Sequence, residues 1–327
     1  MAYHFLDPEE FRPGGLTQAM LSLRKSLACA DQPSAEVLIA VGWHTPAERA
    51  LQKAVASQSR LLWSHGLGTL TFYRGRPFLG LLRLLSRFPQ LFSVLATLKQ
   101  CNRLVVAYPR RNPWDERSFD VTLARYLRVP VEVIGNPIDT DLWRPSVIRS
   151  DFDSAHVVSV GRLEWQKGHA QALAIVISVS SDICLQVLAP ESSAYAKMLK
   201  RKADLVGHSQ QLQLLYGLAS EQRREVLQRA LCMLSWSETE YQSLAMLEAL
   251  ACGCPVIARP RGWLCHAPVP GVLIAHSHRQ ARRYLQQLKK QPTWREELAK
   301  AGRAYVVQHH ALAVVARQWN RMFAELS

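Results

Sequence analysis

The chain has 327 residues, 48% of them hydrophobic, and a formal charge of +14. That length suits two domains better than one core, and the apolar content excludes a disordered polymer. No uncharged apolar run reaches the roughly 18 residues of a membrane-spanning helix, and the charge leaves anionic partners open.

In chain order, "MAYHFLDPEEFRPGG" places acids where a secretory leader would be basic, so a leader is not expected. "GGLTQAMLSLRKSLA" (14–28) predicts a Gly-Gly turn and then a helix with Leu16, Met20, Leu23 and Leu27 on one face. Strands are predicted at 36–42, 60–66, 103–109 and 129–137, with helical patterns between them, including 115–127. The stretch 133–154 has two prolines and no clean periodicity, and reads as an interdomain crossing. Beyond it, strands are predicted at 156–161, 183–189, 212–217 and 231–237, with helices from Gly168, to about Leu205, and over 220–230. A helix at 243–252, strands at "CPVIARP" and 271–275, and helical segments "RQARRYLQQLKK" and "ALAVVARQWNRMFAEL" complete the pattern. Strand alternating with helix implies parallel sheets covered on both faces. The expected fold is α/β, with two Rossmann-like doubly wound domains facing a central cleft. The boundaries are 1–135, 136–310 and a C-terminal helix, 311–327, crossing back to the first domain. The seven cysteines are scattered, and Cys252 and Cys254 have no second pair to complete a zinc site. They read as reduced thiols in the cytoplasm.

Charge is uneven. Between Glu48 and Asp115 there is no acidic residue. Within that interval Leu79, Leu82, Leu85 and Phe88 with Arg83 and Arg87 form a basic amphipathic segment, interrupted at Pro89. It reads either as a surface for an anionic membrane or as a first-domain helix with its apolar side in the core. A nucleic-acid surface is disfavoured, because the aromatics of the interval follow core spacing.

Two motifs carry chemistry. In "SVGRLEWQKGHAQALAIV" (159–176) a strand ends at Gly161, Arg162 follows, and Lys167 precedes the helix opened by Gly168. Arg offers a planar fork and Lys a point charge to phosphate oxygens. Near a helix amino end they could neutralise a diphosphate; equally, they could be ordinary loop charges. In "SWSETEYQSLAMLEALACGCPVIA" (235–258) Glu240 lies in a turn and Glu248 in an apolar helix. A helical path between them would span ~12 Å, about the reach of a folded nucleotide sugar. The amides near Gln242, Ser243 and Leu244 would face the diphosphate at the helix amino end. Glu248 would accept from ribose hydroxyls and Glu240 from hydroxyls of the transferred sugar. The bland alternative makes Glu248 half of a structural ion pair, with Arg162 as partner, and Glu240 a solvated turn residue.

Gly161-Arg162-Leu163, Lys167-Gly168, Ser237, Glu240, Glu248-Ala249-Leu250-Ala251, Gly253 and Pro255-Val256-Ile257-Ala258 together resemble the signatures of glycosyltransferase family 4, retaining enzymes of the GT-B fold. "VIGNPIDTDLWRP" resembles the family's crossing, and Gly14-Gly15 its first glycine loop. The likeness is strong over 133–262 and weak over 16–130. Tyr241-Gln242-Ser243 stands where the family has Gly-Phe-Gly, which implies an unusual sugar choice. The resemblance implies hexosyl transfer from a nucleoside-diphosphate sugar to a glycan or glycolipid acceptor, such as a lipopolysaccharide or polysaccharide precursor. It implies no cofactor and no metal. Arg162 and Lys167 would stabilise the leaving diphosphate, His65 would lie near the sugar, with His44 a weaker candidate, and Gly15 would let backbone approach the phosphates. A cytoplasmic protein, peripheral on the inner membrane face, is expected. The competing readings are an epimerase of the same fold, a non-catalytic sugar-nucleotide binder and a nucleic-acid-binding protein.

Overall fold

A computed structural model describes residues 3–6, 23–24, 27, 37–41, 59–64, 88–108, 119–146 and 155–326. The described residues fall into two units, one ending at Pro137 and resuming at Leu312, the other running from Ile138 to Ala311.

The first unit is a parallel sheet in the order β1-β2-β3-β4-β5, with β1 Tyr3–Leu6, β2 Val37–Val41, β3 Ser59–Ser64, β4 Arg103–Val106 and β5 Val131–Val133. Apolar residues run continuously along β3 and β4, as strands buried on both faces require. Leu61, Trp63 and Val105 pack on one side with Leu23, Leu27 and the last helix of the chain. Leu62, Leu104 and Val106 pack on the other with helix α1 (Phe88–Gln100), through Val94 and Leu98, and helix α2 (Phe119–Tyr126), through Val121 and Ala124. Pro89 does not interrupt α1. It sits in the first turn, where its missing N–H would have no intrahelical acceptor. Val94 and Leu98 of α1 face the core; residues 74–87 of the basic segment lie outside the described residues. At the carboxyl end of β3 the Ser64 hydroxyl donates to buried Asp120.

The second unit is a parallel sheet ordered β11-β10-β9-β6-β7-β8. Its strands are β6 His156–Val160, β7 Cys184–Ala189, β8 Leu212–Tyr216, β9 Cys232–Ser235, β10 Val256–Ala258 and β11 Val272–Ile274. Helices α3 (His169–Ile177), α4 (Ala194–Leu205) and α5 (Ser220–Arg229) follow the first three strands, and α6 (Leu244–Ala251) follows β9. Helices α7 (His278–Lys290) and α8 (Pro292–His310) close the unit, and α9 (Leu312–Ala324) returns to the first. One core joins Val157, Leu185, Val187, Leu234 and Ile257 of the sheet to α3, α4 and α7. The crossing segment is fixed to this unit. Ile138 N–H donates to His310 O at 2.7 Å, and Arg303 of α8 donates to the carbonyls of Trp143, Ala251 and Thr140. Among the described residues no helix is long and apolar enough to cross a membrane.

Candidate functional site

The second sheet starts at β6, grows outward through β7 and β8, and then returns to the other side of β6 with β9. Loops leaving β6 and β9 therefore diverge at their carboxyl ends, the place where open α/β sheets receive ligands. Both predicted motifs lie on these two loops.

The β6 loop begins at Gly161, where an added Cβ would touch Lys167 Cγ and Cδ at 3.3 Å, so the lysine stem lies across it. A 3-10 turn, Trp165–Lys167, ends at Gly168 with φ 70°. A Cβ on Gly168 would fall 2.1 Å from Trp236 O. Only glycine permits both the left-handed backbone and the contact with the β9 loop. Glu238 N–H then donates to Gln166 O at 2.8 Å. His169, fully buried, fixes the same loop from below. It lies 3.1 Å from Arg162 O through Nε2 and 3.0 Å from Ser159 Oγ through Nδ1. A carbonyl only accepts, so Nε2 carries the proton and the Ser159 hydroxyl donates to Nδ1. Burial pulls the imidazole pKa down to about 4, which keeps it neutral.

This docking brings Lys167 to Glu240, with Nζ–Oε2 at 3.2 Å. The Glu240 side chain is 11% exposed, so it is not the solvated turn residue of the bland alternative. Arg162 pairs within its own loop, to Glu164 at 3.0 Å, and its side chain is 68% exposed. Glu248 is buried in α6, but its ion-pair partner is Arg223 at 3.6 Å and not Arg162. Helices α5 and α6 lie side by side, and the Arg223 guanidinium also stacks 5.0 Å above Trp143. Burial pushes the Glu248 pKa up to about 7, and Arg223 offsets this only in part.

Helix α6 starts at Leu244, with Ser243 as N-cap accepting from Met246 N–H at 3.4 Å. The path from Glu240 to Glu248 is thus helical only over its second half, because the cap and the turn before it occupy the first. Tyr241 and Gln242 are buried, whereas Ser243 and Leu244 are half-buried. The amides of the first turn have no intrahelical acceptor and form the positive end of the helix.

Several residues of this site were not singled out from sequence. Arg259 donates to Glu238 at 2.6 Å and covers the Trp236 ring at 5.7 Å, and Arg261 lies 3.8 Å from the same carboxylate. Their signal was position: "RPR" directly follows β10, the neighbour of β9. Arg223 carried none, since its role depends on helix adjacency. Gly15, His44 and His65 lie outside the described residues. Among the described residues no group of three His, Cys, Asp or Glu side chains could hold a metal ion.

Residues 146–305 match the family model described as glycosyl transferases group 1. No curated protein matches the chain. Among solved structures, sucrose-phosphate synthase from Thermosynechococcus elongatus is 18% identical over 98% of this chain and 82% of its own, with a TM-score of 0.74. Anabaena Alr3699/HepE in complex with UDP is 14% identical over 99% and 100%, with a TM-score of 0.75, and the same protein is also solved with UDP-glucose. The lipopolysaccharide outer core galactosyltransferase WaaB, in its apo form, is 11% identical over 94% and 81%, with a TM-score of 0.61. These likenesses show the fold, the α/β fold of GT-B glycosyltransferases.

Proposed function

We propose that the protein is a glycosyltransferase of family 4 type. It moves a hexosyl group from a nucleoside-diphosphate sugar to an acceptor hydroxyl, with retention and without a metal. One observation carries the reading. Lys167 and Glu240, 73 residues apart, meet at 3.2 Å at the switch point of the second sheet, inside the segment that matches the glycosyl transferases group 1 model. The relative solved with UDP and UDP-glucose supports a nucleotide sugar as partner.

In this reading the diphosphate lies between Lys167 and the amino end of α6. Arg162, exposed in the same loop, adds a second cation by exchanging Glu164 for phosphate. As the bond from the anomeric carbon to the diphosphate breaks, charge grows on the leaving oxygen, and fixed cations stabilise that change most. The acceptor oxygen bonds to the anomeric carbon from the same face, and its proton passes to the leaving phosphate oxygen. Glu240 accepts from hydroxyls of the sugar, with Lys167 beside it at 3.2 Å. Glu248 accepts from ribose hydroxyls, with Arg223 as its ion-pair partner. Gln242 lines the sugar side, and Gly161 leaves room for Lys167. His65 and Gly15 enter on the resemblance alone. The acceptor is a glycolipid, lipopolysaccharide or polysaccharide precursor at the inner membrane face, a choice motivated by the acid-free basic interval.

The test is a melting-temperature series with uridine, guanosine and adenosine diphosphates and their sugars, followed by assay of nucleotide release. One nucleoside diphosphate should stabilise the chain by mass action. Lys167→Ala should weaken that binding about tenfold and lower kcat/KM by roughly 10²–10³-fold. Glu240→Ala should spare diphosphate binding and lose transfer. A wild-type chain that no nucleotide or nucleotide sugar stabilises would refute the reading.

A further inference from the structure

The loops leaving the adjacent strands β6, β9 and β10 carry four cations, Arg162, Lys167, Arg259 and Arg261, and three carboxylates, Glu164, Glu238 and Glu240. Three of the cations each hold one carboxylate: Arg162 with Glu164 at 3.0 Å, Lys167 with Glu240 at 3.2 Å, Arg259 with Glu238 at 2.6 Å. Arg261 is the fourth, and it shares Glu238 with Arg259. Its Nη2 lies 3.8 Å from the Glu238 carboxylate that Arg259 already engages, beyond hydrogen-bond length. Its Nη1 makes one long bond, 3.4 Å, to the carbonyl of Pro260 next to it in the chain. Its Nε is buried with no hydrogen-bond partner among the described residues. A guanidinium offers five N–H donors in a planar fork. Here that fork is 20% exposed and largely unused, which is costly for a charge withdrawn from water.

The backbone holds this fork beside the proposed sugar site. A Cβ on Gly262 would lie 2.4 Å from Glu240 O and 2.3 Å from Tyr241 O, and Trp263 N–H donates to Tyr241 O at 3.0 Å. In the sheet β9 lies between β6 and β10. Lys167 and Arg261 therefore belong to loops on opposite sides of the Glu240 loop.

We propose that Arg261 forms a second anion site of this centre, and that a sugar substrate of the transfer carries an anionic group there, a carboxylate or a phosphate. The proposal rests on the glycosyltransferase reading and narrows it from any sugar to an acidic one. Arg259 is the brace of this site, held by Glu238 and Trp236, and Arg261 is the fork that binds. The anion could sit on the donor sugar or on the acceptor, and two arms of one experiment separate these sources.

The donor arm measures calorimetric affinity for UDP, UDP-glucose and UDP-glucuronate, or the matched set on whichever nucleotide stabilises the chain most. The acceptor arm measures binding of glucose, glucuronate and glucose 6-phosphate, with and without that nucleoside diphosphate. In one arm the wild type should prefer the acidic sugar by about tenfold, the scale of a charge-assisted bidentate contact. Arg261→Gln should abolish the preference while affinity for the bare diphosphate stays within about twofold. Arg261→Lys, which keeps the charge without the fork, should retain part of it. Ligand-free melting of both variants reports folding separately. Absence of preference in both arms of the wild type overturns the proposal, as does a preference that Arg261→Gln keeps. A chain that binds no nucleotide refutes the transferase reading instead, and the acceptor arm without nucleotide then decides Arg261 alone.

Discussion

Glu248 and His169 are both buried and both titratable, and burial acts on them in opposite senses. The Glu248 carboxyl is raised from 4.5 to about 7. The folded state therefore holds its proton more tightly than the unfolded state, and stability present below about pH 4.5 is lost as pH rises through 7. His169 is lowered from 6.5 to about 4. Its contribution is present above about pH 6.5 and lost as pH falls through 4. Between about pH 4.5 and 6.5 the two slopes oppose each other, so the wild type should show a shallow plateau of stability there. Melting curves of Glu248→Gln should instead rise with pH over about 4 to 6.5, the His169 slope alone, and those of His169→Gln should fall with pH over about 4.5 to 7, the Glu248 slope alone, each by about 3 kcal/mol. A variant that keeps the wild-type profile refutes that assignment. Gly168 sets a different limit. Gly168→Ala demands a left-handed alanine and puts Cβ 2.1 Å from Trp236 O, so the β6 loop must leave the β9 loop. The expected loss is about 3 kcal/mol or more, with nucleotide binding lost in any protein that still folds. Melting and calorimetry on one preparation check both.

At the scale of elements, α6 and α8 decide whether the site has a floor. Gly271 and Gly302 let α8 close on the β10–β11 turn, since a Cβ on Gly302 would lie 2.7 Å from Leu250 Cδ2 of α6. Arg303, one residue on, hydrogen-bonds the carbonyl of Ala251 at the end of α6 and those of Trp143 and Thr140 in the crossing segment. Arg303→Met should strand three carbonyls and cost about 2–4 kcal/mol, and hydrogen exchange of the Trp143 amide, which donates to Asp139 O at 2.9 Å in the crossing, should then quicken relative to the wild type. Equal exchange in the two would show that the crossing is held by other contacts. The parallel strands of this unit were legible because each is a short apolar run between turn residues, and the motif glycines marked where they end. Helix α8 was not read. Its buried side chains are few, Gly302, Val306 and His310, and so sparse a stripe leaves little periodicity to detect. The sequence assigned the two motifs to one site, but it showed neither the Lys167–Glu240 contact nor that Glu248 meets Arg223 and not Arg162, because strand order, invisible in the sequence, decides which loops and helices are neighbours.

At the scale of the molecule, the chain builds two units and passes between them twice, after Pro137 and after Ala311. The second passage delivers α9 to the first unit. Trp319, fully buried, meets Trp63 edge-on at 5.3 Å, and Val315, Met322 and Phe323 fill the same core. The last helix is therefore a core element of the unit farthest from it in sequence, and each unit has a core of its own. Unfolding should follow those cores. Trp319→Ala removes a buried indole and should cost the first unit about 3–5 kcal/mol, leaving the core of the second untouched. A nucleoside diphosphate at about 100 times its Kd should stabilise the second unit by about 2.7 kcal/mol. In scanning calorimetry the substitution should lower one transition and the ligand raise the other. A single transition that answers to both would mean that the two cores unfold together and that α9 couples them. A ligand shift confined to the transition that Trp319→Ala lowers would place nucleotide binding in the first unit and remove the basis for assigning it to Lys167 and Glu240.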